Sequence, residues 1–130
     1  MTRSKWYPVL GWCVVIFALS TTWFSAANTS RVIEPIFGML FPAMTPAAIG
    51  VCHVLTRKLA HFTIYAVLYW LLARGPLAGR PGLALLLCVI FALTDEGHQY
   101  FVMGRNASLY DVGLDSSGAL FSRFLITAIK

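Results

Sequence analysis

The sequence predicts an all-α fold: a polytopic membrane protein with four transmembrane helices in one bundle, forming a single domain over residues 1–130. Three observations predict it. Hydrophobic residues make up 58% of the chain and charged residues 12%, whereas soluble domains carry about 25% charged residues. Mean hydropathy is +0.74. Four apolar runs each approach the ~20 residues needed to cross a ~30 Å hydrocarbon core, and in lipid such runs must be helices.

The first run, residues 6–24, is interrupted only by Pro8 near its start. Arg3 and Lys5 before it and Ser25-Ala26-Ala27 after it also fit a cleaved signal peptide. The apolar run is longer than the usual signal core, which favours a permanent helix. The connection from Ser25 to Thr56 is too long for a structureless loop. Its apolar middle, PIFGMLFPAM, predicts a short interfacial or re-entrant element over residues 35–44. Thr45-Pro46 then reads as an N-cap with proline in the first helical turn, leading into the second span, residues 55–73.

The third span covers residues 82–101 and the fourth residues 112–130, with Ser108 placed to cap the last helix. Arg123 falls near the centre of that fourth span, where it snorkels, pairs, or marks a tilted or shortened helix.

Orientation follows from Lys and Arg in the short connections. With four crossings, Arg3, Lys5, Arg74, Arg80 and Lys130 share one side, which places both termini in the cytoplasm. Arg57 and Lys58 stand at the opposite rim. A net charge of +5 does not imply nucleic acid, because the basic residues form no patch and sit between apolar runs. The three cysteines, Cys13, Cys52 and Cys88, form no disulfide framework and read as packing residues. Asn28-Thr29-Ser30 and Asn106-Ala107-Ser108 are glycosylation acceptors only in a secretory pathway.

The third span ends in FALTDEGHQYF, residues 91–101. Asp95 falls on the order of 5 Å from the bilayer centre, where an unpaired Asp costs about 2.5–3.5 kcal/mol. Asp95, Glu96 and Gln99 share one helical face through i+3 and i+4 spacing and must look into the bundle. In the second span Lys58, His61, Tyr65 and Tyr69 descend as one stripe. In the fourth, Asp111 and Asp115 are i, i+4, with Gly118 three residues on. Arg105 stands in the connection between spans three and four. All of these groups come to the outer half of the bundle.

These residues carry a resemblance. Lys58-x-x-His61-Phe62, Asp95-Glu96-x-x-Gln99, Gly104-Arg105, Asp111 and Gly118, spread from about Arg57 to Phe121, resemble the pattern of the VanZ-like membrane protein family. In that family the position of Asp115 is often Asn, and His98 is not part of the motif. The family's namesake is associated with reduced susceptibility to teicoplanin, a lipid-tailed glycopeptide acting on cell-wall precursors. The resemblance implies a bacterial cytoplasmic (inner) membrane setting and no settled biochemical activity.

Two classes of function follow. In one, a polar pocket binds an amphiphile: a lipid-linked wall precursor, an anionic lipid or a lipoglycopeptide. Lys58 and Arg105 hold its anionic group, and Tyr65, Tyr69 and residues 35–44 meet its chain. His61, Asp95, Glu96, Gln99, Asp111 and Asp115 complete the pocket. In the other, His61 and one of Asp95 or Glu96 exchange protons in hydrolysis or transfer on a lipid-linked substrate. The chain has no G-x-S-x-G and no Cys–His nucleophile pair. Against both stands a structural reading in which Lys58 pairs with Asp95 and Arg105 with Asp111 to specify helix packing. No cofactor is expected, and His61, Asp95, Glu96 and Asp111 lack metal-ligand spacing. Expected partners are membrane lipids or a lipid-linked envelope precursor, with a homo-oligomer as a further option and no nucleic acid.

Overall fold

A computed structural model describes residues 3–103 and 107–129. These form five α-helices and no strand: α1 (Tyr7–Leu19), α2 (Ala26–Leu40), α3 (Pro46–Arg74), α4 (Pro81–Phe101) and α5 (Leu109–Ala128). Two 3-10 turns, Arg3–Trp6 and Thr22–Phe24, flank α1.

The first apolar run stops being helical at Leu19, short of residue 24. The hydroxyls of Ser20 and Thr21 take the carbonyls of Phe17 and Ala18 at 2.9 and 2.7 Å, local bonds that compete with continued helix. The chain bends by 67° between its first two helical stretches, Ser4–Leu19 and Thr22–Leu40. Asn28 Nδ2 donates to the Thr22 carbonyl at 2.8 Å across this bend. Ser25 Oγ then caps α2 by accepting from the Asn28 N–H at 3.4 Å.

The element expected at residues 35–44 is therefore a longer helix, begun by that cap and running through Pro35 to Leu40. Thr45 caps α3 as its sequence predicts, accepting from the Ala48 N–H at 3.2 Å. The helix that follows is continuous over 29 residues, about 43 Å, so no break precedes the expected second span. Gly79, at φ +82°, turns the chain toward Pro81 and α4. Ser108 Oγ caps α5, accepting from the Tyr110 N–H at 3.2 Å.

The broadest contact in the fold joins α3 to α5. Buried Gly118 and Ala119 leave room for it, and a Cβ at Gly118 would fall on the Phe62 carbonyl of α3. The Phe62 and Phe121 rings lie beside this crossing, 5.5 Å apart. α1 is tied on by Trp12 Nε1, which donates to the Ile64 carbonyl at 2.8 Å, and by buried Val9 and Ile16. On α4, Ala84, Cys88 and Ala92 bury a narrow apolar stripe that continues into Asp95, Glu96 and Gln99.

The exterior inverts the order of a water-soluble domain. Leu83, Leu86, Ile90 and Leu93 of α4 and Leu120, Phe121 and Phe124 of α5 are exposed, while Asp95, Glu96, Gln99 and Asp115 are buried. Apolar surface of this extent suits contact with lipid. Among the described residues α4 alone is a single helix long and apolar enough to cross a membrane, and the bent pair before α3 passes the same test jointly. α3 and α5 carry polar and ionisable residues along their length, which dilutes the apolar signal that four crossings would give.

Candidate functional site

Polar side chains converge where α3, α4 and α5 meet. The start of α5 is clamped to α4: the Ser108 backbone N–H donates to Glu96 Oε2 at 2.9 Å. One turn further along α4, Gln99 Nε2 donates to Asp95 Oδ2 at 3.1 Å, both residues being buried. Lys58 of α3 pairs with Asp111 at 3.5 Å, not with Asp95. Asp111 lies in the first turn of α5, where the helix N-terminus favours a carboxylate, so it holds the cation at the margin. Lys58 is half exposed there.

The deepest carboxylate is Asp115, with 0% of its side chain exposed, and it stands 3.2 Å from His61 Nδ1. With Asp115 ionised, the bond runs from the Nδ1 proton to Oδ1 and leaves Nε2 as the acceptor nitrogen of the neutral ring. Among the described residues His61 Nε2 has no hydrogen-bond partner, and it is not one of the fully buried unpartnered atoms. Among the described residues Tyr65 Oη, Glu96 Oε1 and Asp115 Oδ2 are buried without a partner. The Tyr65 hydroxyl lies within electrostatic reach of Asp95, Glu96 and Asp115. Native interiors seldom leave such atoms unsatisfied, and a water or ligand group commonly completes them.

His61 also lines a lateral cleft of about 150 Å³ between α3 and the bend that joins α1 to α2. Leu19, Phe24, Ile33 and Ile64 make its walls apolar, and Arg57 supplies its cation. Arg57 Nη1 donates to the Phe24 carbonyl at 2.9 Å and to Thr29 Oγ1 at 2.8 Å. These bonds use one end of the guanidinium fork and leave Nε and Nη2 without partners among the described residues. Thr29 Oγ1 also meets buried His53 Nε2 at 3.0 Å, and His53 Nδ1 faces Glu34 Oε1 at 3.7 Å. α2 is thus fastened to α3 by polar contacts that border the cleft.

A family model described as VanZ/LLP1 matches residues 6–130. The chain belongs to the VanZ/LLP1 family. No curated protein and no solved structure matches it. The family match extends well beyond residues 57–121, taking in α1 and α2, which carry the cleft's second wall.

Within this VanZ/LLP1 chain the motif residues Lys58, His61, Asp95, Glu96, Gln99 and Asp111 gather at one end of α4 and α5, and Gly118 sets the helix crossing beneath them. Gly104 and Arg105 lie outside the described residues. Tyr65 is fully buried on the inner side of α3 and Tyr69 nearly so, its hydroxyl within electrostatic reach of Arg123. Neither tyrosine lines the lateral cleft.

Sequence reading left out Arg57, His53 and Thr29 as site residues. The signal was there: His53, Arg57, His61, Tyr65 and Tyr69 follow one another at steps of four. His98 is engaged at the end of α1. Its Nδ1 meets Ser20 Oγ at 2.9 Å and its ring lies 4.5 Å from Phe17, so it joins α4 to the end of α1. Among the described residues no group of three His, Cys, Asp or Glu side chains is arranged to hold a metal ion.

Proposed function

We propose that this VanZ/LLP1 protein is a four-crossing bacterial envelope protein that takes an anionic amphiphile into the lateral cleft. Both termini lie in the cytoplasm and the cleft opens in the outer half of the membrane. One observation supports the reading above the others: an apolar recess opens sideways and carries Arg57 and His61 side by side on α3. An aqueous solute has little use for Leu19, Phe24, Ile33 and Ile64. An acyl or prenyl chain fits them, with its phosphate or carboxylate on the free end of the Arg57 fork.

Lys58 then acts as a marginal cation, already committed to Asp111. The bound species belongs to the envelope amphiphiles: an anionic lipid, a lipid-linked wall precursor or a lipoglycopeptide. An effect on teicoplanin susceptibility follows when the ligand is the wall precursor or the glycopeptide.

The test is mass spectrometry of lipids retained by gently purified protein. Wild type is expected to carry an anionic lipid above its membrane abundance, Arg57→Ala to lose that enrichment, and Lys58→Ala to keep most of it. Identical bulk lipid in all three preparations would sink the reading.

A further inference from the structure

We infer that His61 is a general base that hydrolyses an acyl ester of the bound amphiphile, a phospholipid with ester-linked chains. The inference rests on the cleft-binding reading above and adds a reaction to it.

The first argument is the ring's orientation. Nδ1 is engaged by a carboxylate that has no exposure, and among the described residues Nε2 has no partner, on a side chain that lines the cleft. A structural His–Asp bond gains nothing from keeping the second nitrogen open. A base needs both features: a partner that fixes tautomer and angle, and a free lone pair where substrate arrives. Asp115 is the positioning residue and His61 the catalytic one.

The second argument is spacing. Arg57 and His61 are one turn apart on α3, a rise of about 6 Å, and both line the cleft. In an ester-linked phospholipid the acyl carbonyls lie a few bonds from the phosphate, on its hydrocarbon side. A phosphate held by Arg57 therefore brings an ester toward His61, with the chains running along Leu19, Ile33 and Ile64.

The step balances with water as the only co-reactant. A water oxygen attacks the ester carbonyl carbon as His61 Nε2 accepts one of its protons. The tetrahedral centre collapses with cleavage of the acyl carbon–oxygen bond. The departing glyceryl oxygen takes the proton back from Nε2. Each turnover releases one free fatty acid and one lysophospholipid and returns His61 to its neutral form.

The experiment uses the full chain in vesicles of phosphatidylglycerol and phosphatidylcholine. One set carries ester-linked chains and a parallel set ether-linked chains, and products are followed by mass spectrometry. Wild type is expected to release fatty acid and lysophospholipid in equal amounts from the ester vesicles and nothing from the ether vesicles. His61→Gln is expected to lose ~100-fold or more of that rate. Asp115→Asn keeps an acceptor for the Nδ1 proton. It is expected to lower the rate and move the pH profile, which a purely structural Asp115 would leave in place.

Fatty-acid release by His61→Gln at the wild-type rate would overturn the assignment. If wild type retains the ether lipid yet releases no fatty acid from ester vesicles, hydrolysis is wrong and binding stands. If wild type retains no more ether-linked phosphatidylglycerol than Arg57→Ala, the binding reading itself is wrong.

Discussion

Gly118 of α5 lies so close to the Phe62 carbonyl of α3 that no Cβ fits between the two backbones. Phe62 follows His61, and Gly118 is one turn from Asp115, so this crossing fixes the distance across which those two side chains bond. Gly118→Ala must push the helices apart. We expect a loss of ~1–3 kcal/mol from overpacking, read as a lower midpoint of thermal unfolding in detergent. The neighbouring Ala119→Gly, which adds no atoms, should lose less and leave the crossing in place.

Glu96 is held by one oxygen. Its Oε2 accepts the Ser108 N–H, and among the described residues Oε1 is buried without a partner. Glu96→Ala strips the acceptor from a donor at the start of α5 and should destabilise by about 1–3 kcal/mol. Glu96→Gln keeps a carbonyl acceptor and should cost less. Hydrogen exchange at residues 108–112 distinguishes the two, with faster exchange expected in the alanine variant.

How far could this be read in advance? The all-α class, the span that became α4, the Thr45 and Ser108 caps and the inward face of Asp95, Glu96 and Gln99 all follow from local rules: apolar length, capping chemistry and helical period. What escaped the sequence depends on tertiary choice. Whether Lys58 meets Asp95 or Asp111 is decided by how α5 crosses α3, and that crossing is set by Gly118, a residue with no polar signal of its own. The bend after Leu19 turns on three consecutive hydroxyl residues that hydropathy counts as nearly neutral. Arg57 looked like a rim charge because nothing local says that α2 folds back onto it.

Trp12 tests the seam between α1 and α3. Its Nε1 donates to the Ile64 carbonyl at 2.8 Å from a half-buried position. Trp12→Phe preserves most of the ring and loses the donor, so stability should fall by ~1 kcal/mol. Denaturant or thermal unfolding measures it. A midpoint equal to wild type would show that the bond contributes nothing at this seam.

Thr29 receives Arg57 and touches His53. Thr29→Val keeps the shape and removes the oxygen. The guanidinium then loses one of its two fixed acceptors, and retention of ether-linked phosphatidylglycerol is expected to drop several-fold, less than in Arg57→Ala. Retention equal to wild type would mean that Arg57 needs no orienting partner from α2.

The Arg57 fork has a thermodynamic consequence. One end grips the Phe24 carbonyl and Thr29 Oγ1 on a side chain that lines the cleft. Docking of α2 therefore sets the angle at which the cation meets an anion, and an anion that locks the cation strengthens the docking. By linkage the two effects are equal: whatever factor α2 docking adds to anion affinity, the anion returns to the docked population of α2. An amphiphile bound as proposed would close the wall it entered beside.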